Sequence, residues 1–285
     1  MTRAAAGRTA MTSKGFKGGW MSVDGGADPH YYVRLMDMIR GGREDDPEQY
    51  RSVFDALRVG DGDRVLDVGC GTGGGVRALA ARFPGVGRVV GVDKSETMVA
   101  EARARTTPEA GARVEFAAAD AHDLPFPDGS FDSAYSLRVF EIVGEPRQAL
   151  AEMARVLRPG GRLVVNGPDV DAWTIDAADR EVTRKVLHHA CDFETNGWVG
   201  RQLPAWFKEL GLEDINVAPV GLCVTAFEPI YDLCLRAFAD SAVAAGVLTA
   251  ERVAAWVEDM RDRDRRGQFF SSQMLFRVNG RKAKG

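Results

Sequence analysis

Arg64-Val-Leu-Asp-Val-Gly-Cys-Gly-Thr-Gly-Gly-Gly75 is a short apolar strand that runs straight into a glycine-packed turn, with a helical stretch following from Val76 to Phe83. Val65, Leu66 and Val68 are the β-branched and apolar run of a buried parallel strand. Gly69, Gly71 and Gly73 lack Cβ atoms where the chain must turn, so a ligand can lie against bare backbone. The following helix aims its N-terminus at the same spot. About twenty residues on, Arg88-Val-Val-Gly-Val-Asp93 is a second buried strand ending in an acid. A carboxylate at that tip can accept both hydroxyls of a ribose. The pattern describes a nucleoside site.

The glycines at 69, 71 and 74 also satisfy G-x-G-x-x-G, which suits a dinucleotide such as NAD, with Asp93 as its ribose acid. Three further stretches bear on the choice. Asp67 lies inside the first strand, giving Leu66-Asp-Val-Gly-Cys-Gly-Thr-Gly73. Pro127-Asp-Gly-Ser-Phe-Asp-Ser-Ala-Tyr-Ser136 has the form of a loop leading into a strand. Glu152-Met-Ala-Arg-Val-Leu-Arg-Pro-Gly-Gly-Arg-Leu-Val-Val165 reads as a helix, a Pro-Gly-Gly turn and a strand. In order and spacing these resemble motif I, strand four and the helix-to-strand-five segment of the class I S-adenosylmethionine-dependent methyltransferases, over roughly Asp46 to Lys284. No lysine-bearing phosphate loop is present, as expected for a donor without phosphates, and 285 residues leave little room for a dehydrogenase's second domain.

The resemblance implies a Rossmann-like, doubly wound α/β sheet of about seven strands, the last one antiparallel and inserted between the fifth and sixth. It implies S-adenosylmethionine as cofactor, with S-adenosylhomocysteine as product. Asp93 would hold the ribose, flanked by Lys94 and Met98 near the adenine. Asp120 and Ala121 match the family's Asp-Ala pair that reads the adenine edge. Gly69, Gly71, Thr72 and Gly73 form the turn, Asp67 lies near the methionine amino group, and Ser136 and Leu137 face the sulfonium. The family's small-molecule members read Arg-Val-Phe-Gln-His after strand four, where this chain has Arg138-Val-Phe-Glu-Ile142. Isoleucine thus stands in place of a histidine that often lies near the acceptor.

A general base is therefore not given by the motif. Glu141 is a candidate replacement, its alternative being an exposed helix glutamate. His188 and His189 are further candidates, and because successive helical residues point about 100° apart, at most one can face a pocket squarely. Tyr31 and Tyr32 are comparable. Trp173, Phe193, Trp198 and Phe227 could line a flat or apolar acceptor, or pack in a core. The expected activity is methyl transfer to a small molecule, a natural product or quinone-like acceptor, with oxygen as the target atom. The alternatives are use of the bound donor without transfer, in cyclisation or decarboxylation, and NAD-dependent redox chemistry.

Formal net charge is −4, and no lysine/arginine stripe is interleaved with aromatics, so nucleic acid is not an expected partner. The four cysteines form no C-x-x-C pair and read as reduced thiols of a cytoplasmic protein without a metal site. No apolar run approaches the ~20 residues needed to span a bilayer. A monomer or homodimer is expected.

Residues 1–28, rich in Gly, Ala, Ser, Thr and basic residues, read as disordered. Cover helices are expected over 29–60, the second opening at Asp46-Pro47 with Asp46 as N-cap. The cofactor core is read over 61–167, as strands 64–68, 88–93, 113–118, 131–136 and 161–166 with helices between. Substrate lids occupy 168–210 and 226–265, with helices near 176–191, 204–211, 229–245 and 249–261. The last strands fall within 211–225 and 268–280, where alternation marks a strand to the end.

Overall fold

A computed structural model describes residues 15–39, 47–107 and 113–284. Asp46, expected to cap a helix, lies outside the described residues.

Seven strands form one mixed sheet in the order β3-β2-β1-β4-β5-β7-β6. They are β1 (Arg64–Val68), β2 (Arg88–Asp93), β3 (Val114–Ala118), β4 (Phe131–Leu137), β5 (Leu157–Ile175), β6 (Leu212–Val224) and β7 (Ser271–Lys282). The first five run parallel, and β7 lies antiparallel between β5 and β6. This is the Rossmann-like sheet of a methyltransferase fold, with its last strand reversed. The order turns at β1, where β2 lies on one side and β4 on the other. Ligands of open α/β sheets bind outside the carboxyl ends of the strands at such a point.

Local sequence explains the inner strands. Val65, Leu66, Val68, Val89, Val90 and Val92 are buried, because helices cover both faces. On one face α3 (Pro47–Leu57) and α4 (Gly74–Arg82) cover the sheet with Tyr50, Phe54 and Leu79; on the other α6 (Pro146–Arg155) and α8 (Val199–Glu209) bring Leu150, Met153, Leu203 and Phe207. Between β2 and β3 runs α5 (Glu96–Ala104), whose N-cap Ser95 accepts the Met98 N–H at 3.1 Å.

One outer strand departs from expectation. Strand five was expected to stop at 166, yet β5 continues to Ile175 because β7 pairs with it from Arg162↔Arg281 to Ile175↔Ser271, across a bulge between Asp169 and Thr174. β6 spans 212–224, within the expected 211–225, and pairs with β7 along its length. The β5-β7-β6 ribbon therefore rises past the parallel strands and forms a wall. Against it packs a separate apolar cluster from α7 (Arg180–His189), α9 (Arg236–Ala244) and α10 (Ala250–Arg265), centred on Trp256, Phe238 and Val186. The helix expected over 229–245 is broken by a π-turn at Tyr231–Leu235. Thr249 caps α10 as its sequence suggests, accepting the Arg252 N–H at 3.3 Å.

The reading of 1–28 as unpacked is corrected for its described part. Gly15–Trp20 is a helix, α1, followed by a 3-10 turn at Val23–Gly25 and by α2 (His30–Ile39). Val23, Tyr32, Val33 and Leu35 are buried against Met98 of α5. Composition hid this because only a few apolar residues, spaced by glycines, make the contact.

Candidate functional site

A cavity of about 890 Å³ opens at the carboxyl ends of β1, β2, β4 and β5 and is covered by residues 20–25. At one end lie Gly69, Gly71, Asp93, Lys94, Met98, Asp120, Ala121 and Leu137; at the other lie Arg138, Glu141, Asn166, Trp173, Phe238 and Gln273.

The glycine turn is built by necessity. Gly69 has φ +79° and Gly73 φ +81°, both in the left-handed region. A Cβ at Gly69 would collide with the Val139 side chain, and one at Gly73 would lie 2.7 Å from Phe116 Cζ. Asp93 locks the turn from the neighbouring strand. Its Oδ2 accepts the Gly71 N–H at 2.9 Å and its Oδ1 the Ser95 N–H at 3.0 Å. Burial raises its pKa, while those two donors act to lower it. Each oxygen keeps a lone pair for a further donor, and a vicinal diol fits that demand.

Asp120 is the second carboxylate at this end. Burial would raise its pKa, but donors from the His122 N–H (3.0 Å), Lys94 Nζ (2.9 Å) and the His122 ring outweigh that and hold it well below the usual carboxylate range. The Glu145 N–H donates to His122 Nε2 at 3.2 Å, which leaves the ring proton at Nδ1, facing Asp120.

Four residues expected at the ligand lie behind the surface instead. Asp67 and Thr72 are buried and, with Gly73, stand outside the cavity lining. Asp67 Oδ2 would lie 3.2 Å from a Cβ on Gly75 in the first turn of α4. Burial, then the Asp67 charge, keeps the neighbouring Tyr135 phenol well above its ordinary pKa. Ser136, expected to face the sulfonium, turns inward and donates to the Val68 carbonyl at 2.8 Å, tying β4 to β1. Alternation along β4 puts Leu137, not Ser136, at the cavity.

The candidate bases separate. Glu141 is 6% exposed and lines the cavity, which overturns the exposed-helix reading. The reason is the path after β4: Arg138 takes φ +59°, and a turn follows in which the Ile142 and Val143 N–H groups donate to the Val139 carbonyl. Asn196 Nδ2 fastens this turn, donating to the Phe140 and Val143 carbonyls at 2.8 Å each. Burial raises the Glu141 pKa against the opposing effect of Arg138, whose Nε lies 3.6 Å from Oε1.

Neither His188 nor His189 is part of the cavity lining. His188 is on the surface with Nε2 3.6 Å from Asp171, and His189 packs against Ser241 Oγ at 2.9 Å, because α7 turns its apolar face toward the lid core. Tyr31 is also off the lining, with its hydroxyl 3.5 Å from the Asp232 carbonyl, and Tyr32 is core. Of the four aromatics, only Trp173 lines the cavity. Phe227 is core, Phe193 is 73% exposed, and Trp198 is exposed beneath the Arg201 guanidinium.

Sequence reading passed over Asp24. It sits in the covering segment and accepts from Ser95 Oγ (2.7 Å) and from the Glu96 (2.7 Å) and Thr97 (3.1 Å) N–H groups, at the N-terminus of α5. Lys17 reaches across to Asn196 Oδ1 at 2.8 Å. The segment is thus pinned at both ends of the cavity. Ser95 was visible as a cap, but nothing local to Asp24 names a partner 71 residues away. Among the described residues no group of three His, Cys, Asp or Glu could hold a metal ion, and no helix is long and apolar enough to cross a membrane.

This sheet, glycine turn and acid-tipped second strand are the frame of a nucleoside-binding α/β protein. Residues 66–165 match the model of a methyltransferase domain. The chain is 34% identical over 157 residues to O-methyltransferase rstn1 of Aspergillus nomiae, covering 50% of this chain and 69% of that one. It belongs to the class I S-adenosylmethionine-dependent methyltransferases. It is also 40% identical over 237 residues to an uncharacterized 37.1 kDa protein in transposon TN4556 of Streptomyces fradiae, covering 82% of this chain and 67% of the other. Against other curated methyltransferases it spans about two fifths of their length. Among solved structures, the YcgJ protein of Bacillus subtilis superposes with a TM-score of 0.57 at 22% identity, over 84% of this chain and 99% of that one, which shows the fold.

Proposed function

We propose that the chain methylates an oxygen of a small, largely apolar molecule. The observation that carries this is the continuity of one cavity from Asp93 to Glu141, with a volume suited to a donor and an acceptor end to end. The donor end fits S-adenosylmethionine. Asp93 has lone pairs for two ribose hydroxyls, Asp120 and the Ala121 N–H suit an adenine edge, Met98 offers an apolar wall, and Gly69 and Gly71 leave backbone bare for the amino-acid part. Lys94 steadies Asp120, while Asp67, Thr72, Gly73 and Ser136 hold the turn from behind. When bound, the donor supplies an electrophilic methyl group on a positively charged sulfur.

The chain's own part is placement. Covering residues 20–25 keep bulk water from the cavity, and Leu137 with the turn after β4 sets where the acceptor oxygen can stand. Alignment of this kind can account for much of a barrier reduction. Glu141 is the group that could accept the hydroxyl proton as the oxygen–methyl bond forms, since burial moves its pKa toward neutrality, where a base works best. Its presence and the likeness to an O-methyltransferase support oxygen as the target.

Isothermal titration with S-adenosylmethionine and S-adenosylhomocysteine tests the donor half, with binding at micromolar concentration expected. Mass spectrometry of a phenol, quinol and amine panel tests the acceptor half. Methylation of amines alone would refute the choice of oxygen, and absence of donor binding would refute the whole reading.

A further inference from the structure

The acceptor end of the cavity carries a hydrogen-bond inventory that does not balance. Glu141 and Asn166 are both buried and both line the cavity, yet Glu141 Oε2 and Asn166 Oδ1 have no hydrogen-bond partner among the described residues. Arg138, at φ +59° just past β4, adjoins both residues: its backbone N–H donates to the Asn166 carbonyl at 3.1 Å, and its side chain lies beside Glu141. Its Nη1 donates to Gln273 Oε1 at 3.2 Å and its Nε faces Glu141 Oε1, which leaves guanidinium N–H groups to spare. Gln273 is itself 4% exposed, so Arg138 is fixed by a buried side chain of β7. The nearby Asp169 is committed to Nε and Nη2 of Arg201. Trp173, Phe238 and Leu275 give this end apolar surface.

A buried acceptor without a donor costs free energy until something supplies one. Here spare acceptors and a spare cationic donor adjoin one another at a single end of an apolar slot. From this, and resting on the methyl-transfer reading above, we propose that the acceptor is a neutral apolar molecule whose reacting hydroxyl has a second oxygen on the adjacent carbon, as in a catechol or vicinal quinol. The hydroxyl donates to Glu141, and the neighbouring oxygen accepts from Arg138 while its own proton, where present, satisfies Asn166. The Glu141 and Asn166 side chains line the cavity, although these two oxygens are themselves buried. The last side-chain torsion of each is soft, and rotation about it brings the oxygen to the ligand. An acceptor with a carboxylate at this end would set its charge against Glu141, with Arg138 the cation beside both. In the transfer, the hydroxyl proton passes to Glu141, the oxygen takes the methyl group, and the carbon–sulfur bond pair stays on sulfur. Arg138 is a positioning residue and Gln273 holds it in place.

The test compares 2,3-dihydroxynaphthalene with 2,7-dihydroxynaphthalene, which have the same composition and differ in whether the two oxygens are neighbours. The full-length enzyme should methylate the 2,3 isomer with a kcat/KM about tenfold or more above that of the 2,7 isomer, the value of one well-placed hydrogen bond to a charged group. Arg138→Gln should raise KM for the 2,3 isomer about tenfold and erase the preference. Arg138→Lys, which retains charge but not the guanidinium fork, should fall between. Titration of each variant with S-adenosylhomocysteine separates this from loss of the donor site: affinity should match the parent. Equal turnover of the two isomers, turnover of neither by enzyme that binds donor, or a preference unchanged in Arg138→Gln would each overturn the proposal. Failure of the unaltered enzyme to bind donor would instead remove the reading beneath it.

Discussion

Asp93 and Glu141 are both carboxylates whose pKa values burial raises, and their partners set them apart. Asp93 receives two backbone N–H groups, which favour the charged form and fix its direction. Asp93→Ala should weaken S-adenosylmethionine binding by about a hundredfold or more, from the loss of two charge-assisted hydrogen bonds and a loosened Gly71 turn, measured by titration calorimetry. Glu141 has a single guanidinium near one oxygen. As a base it must be ionised, so turnover should rise with pH through its elevated pKa. Glu141→Gln should remove that rising limb and lower kcat by about a hundredfold. The same substitution should stabilise the fold. Glu141 holds its proton to higher pH when folded than when unfolded, so above the unfolded value its ionised form costs stability. At neutral pH the glutamine variant should melt ~1–3 °C higher, and well below the unfolded pKa the difference should vanish. Equal melting temperatures at both pH values would contradict the burial argument.

Among the elements, the covering segment and α5 form a unit. Asp24 supplies the α5 N-terminus with three hydrogen bonds, beside Asp93 and Lys94. Asp24→Ala should cost about 1 kcal/mol as a lost cap and should raise the dissociation rate of bound donor several-fold, followed by stopped-flow fluorescence, Trp20 being part of the cover. Unchanged dissociation would show that the segment does not close the donor end. This unit also marks where sequence reading fails. The glycine turn and the acid of β2 are written within thirty residues, and their geometry follows from local rules on φ, burial and period. Asp24 works through a contact across the fold, and its neighbourhood of glycines and small residues has the composition of a loose tail. The length of β5 was illegible for a related reason: a strand ends where its partner ends, and the partner, β7, begins only at Ser271. His188 and His189 looked chemical because of their type. Their helix faces the lid core, and only the packing of α7 against α9 and α10 reveals that.

For the molecule as a whole, the sheet divides the work. In the proposed reading its parallel strands carry the donor end, and the turn after β4 joins the β5-β7-β6 ribbon and its helices in building the acceptor end. Family motifs lie in the first half, which is why candidates such as Gly69, Asp93 and Asp120 could be named and are found on the cavity wall, while Asp67, Thr72, Gly73 and Ser136 are not; Arg138, Asn166 and Gln273 come together from three strands or their ends. Gly69→Ala should damage both ends at once, because the added methyl group drives into Val139 at the base of the turn that bears Arg138 and Glu141. Donor affinity and acceptor turnover should each drop tenfold or more while far-UV circular dichroism is retained. The central claim is that one cavity holds the donor by its ribose and presents its methyl group toward Leu137 and Arg138. A crystal structure with S-adenosylhomocysteine bound tests this most directly. Both ribose hydroxyls should lie within hydrogen-bond distance of the Asp93 carboxylate, with the sulfur facing the Leu137–Arg138 end. A ligand whose ribose avoids Asp93, or whose sulfur points away from the Glu141 turn, would contradict it.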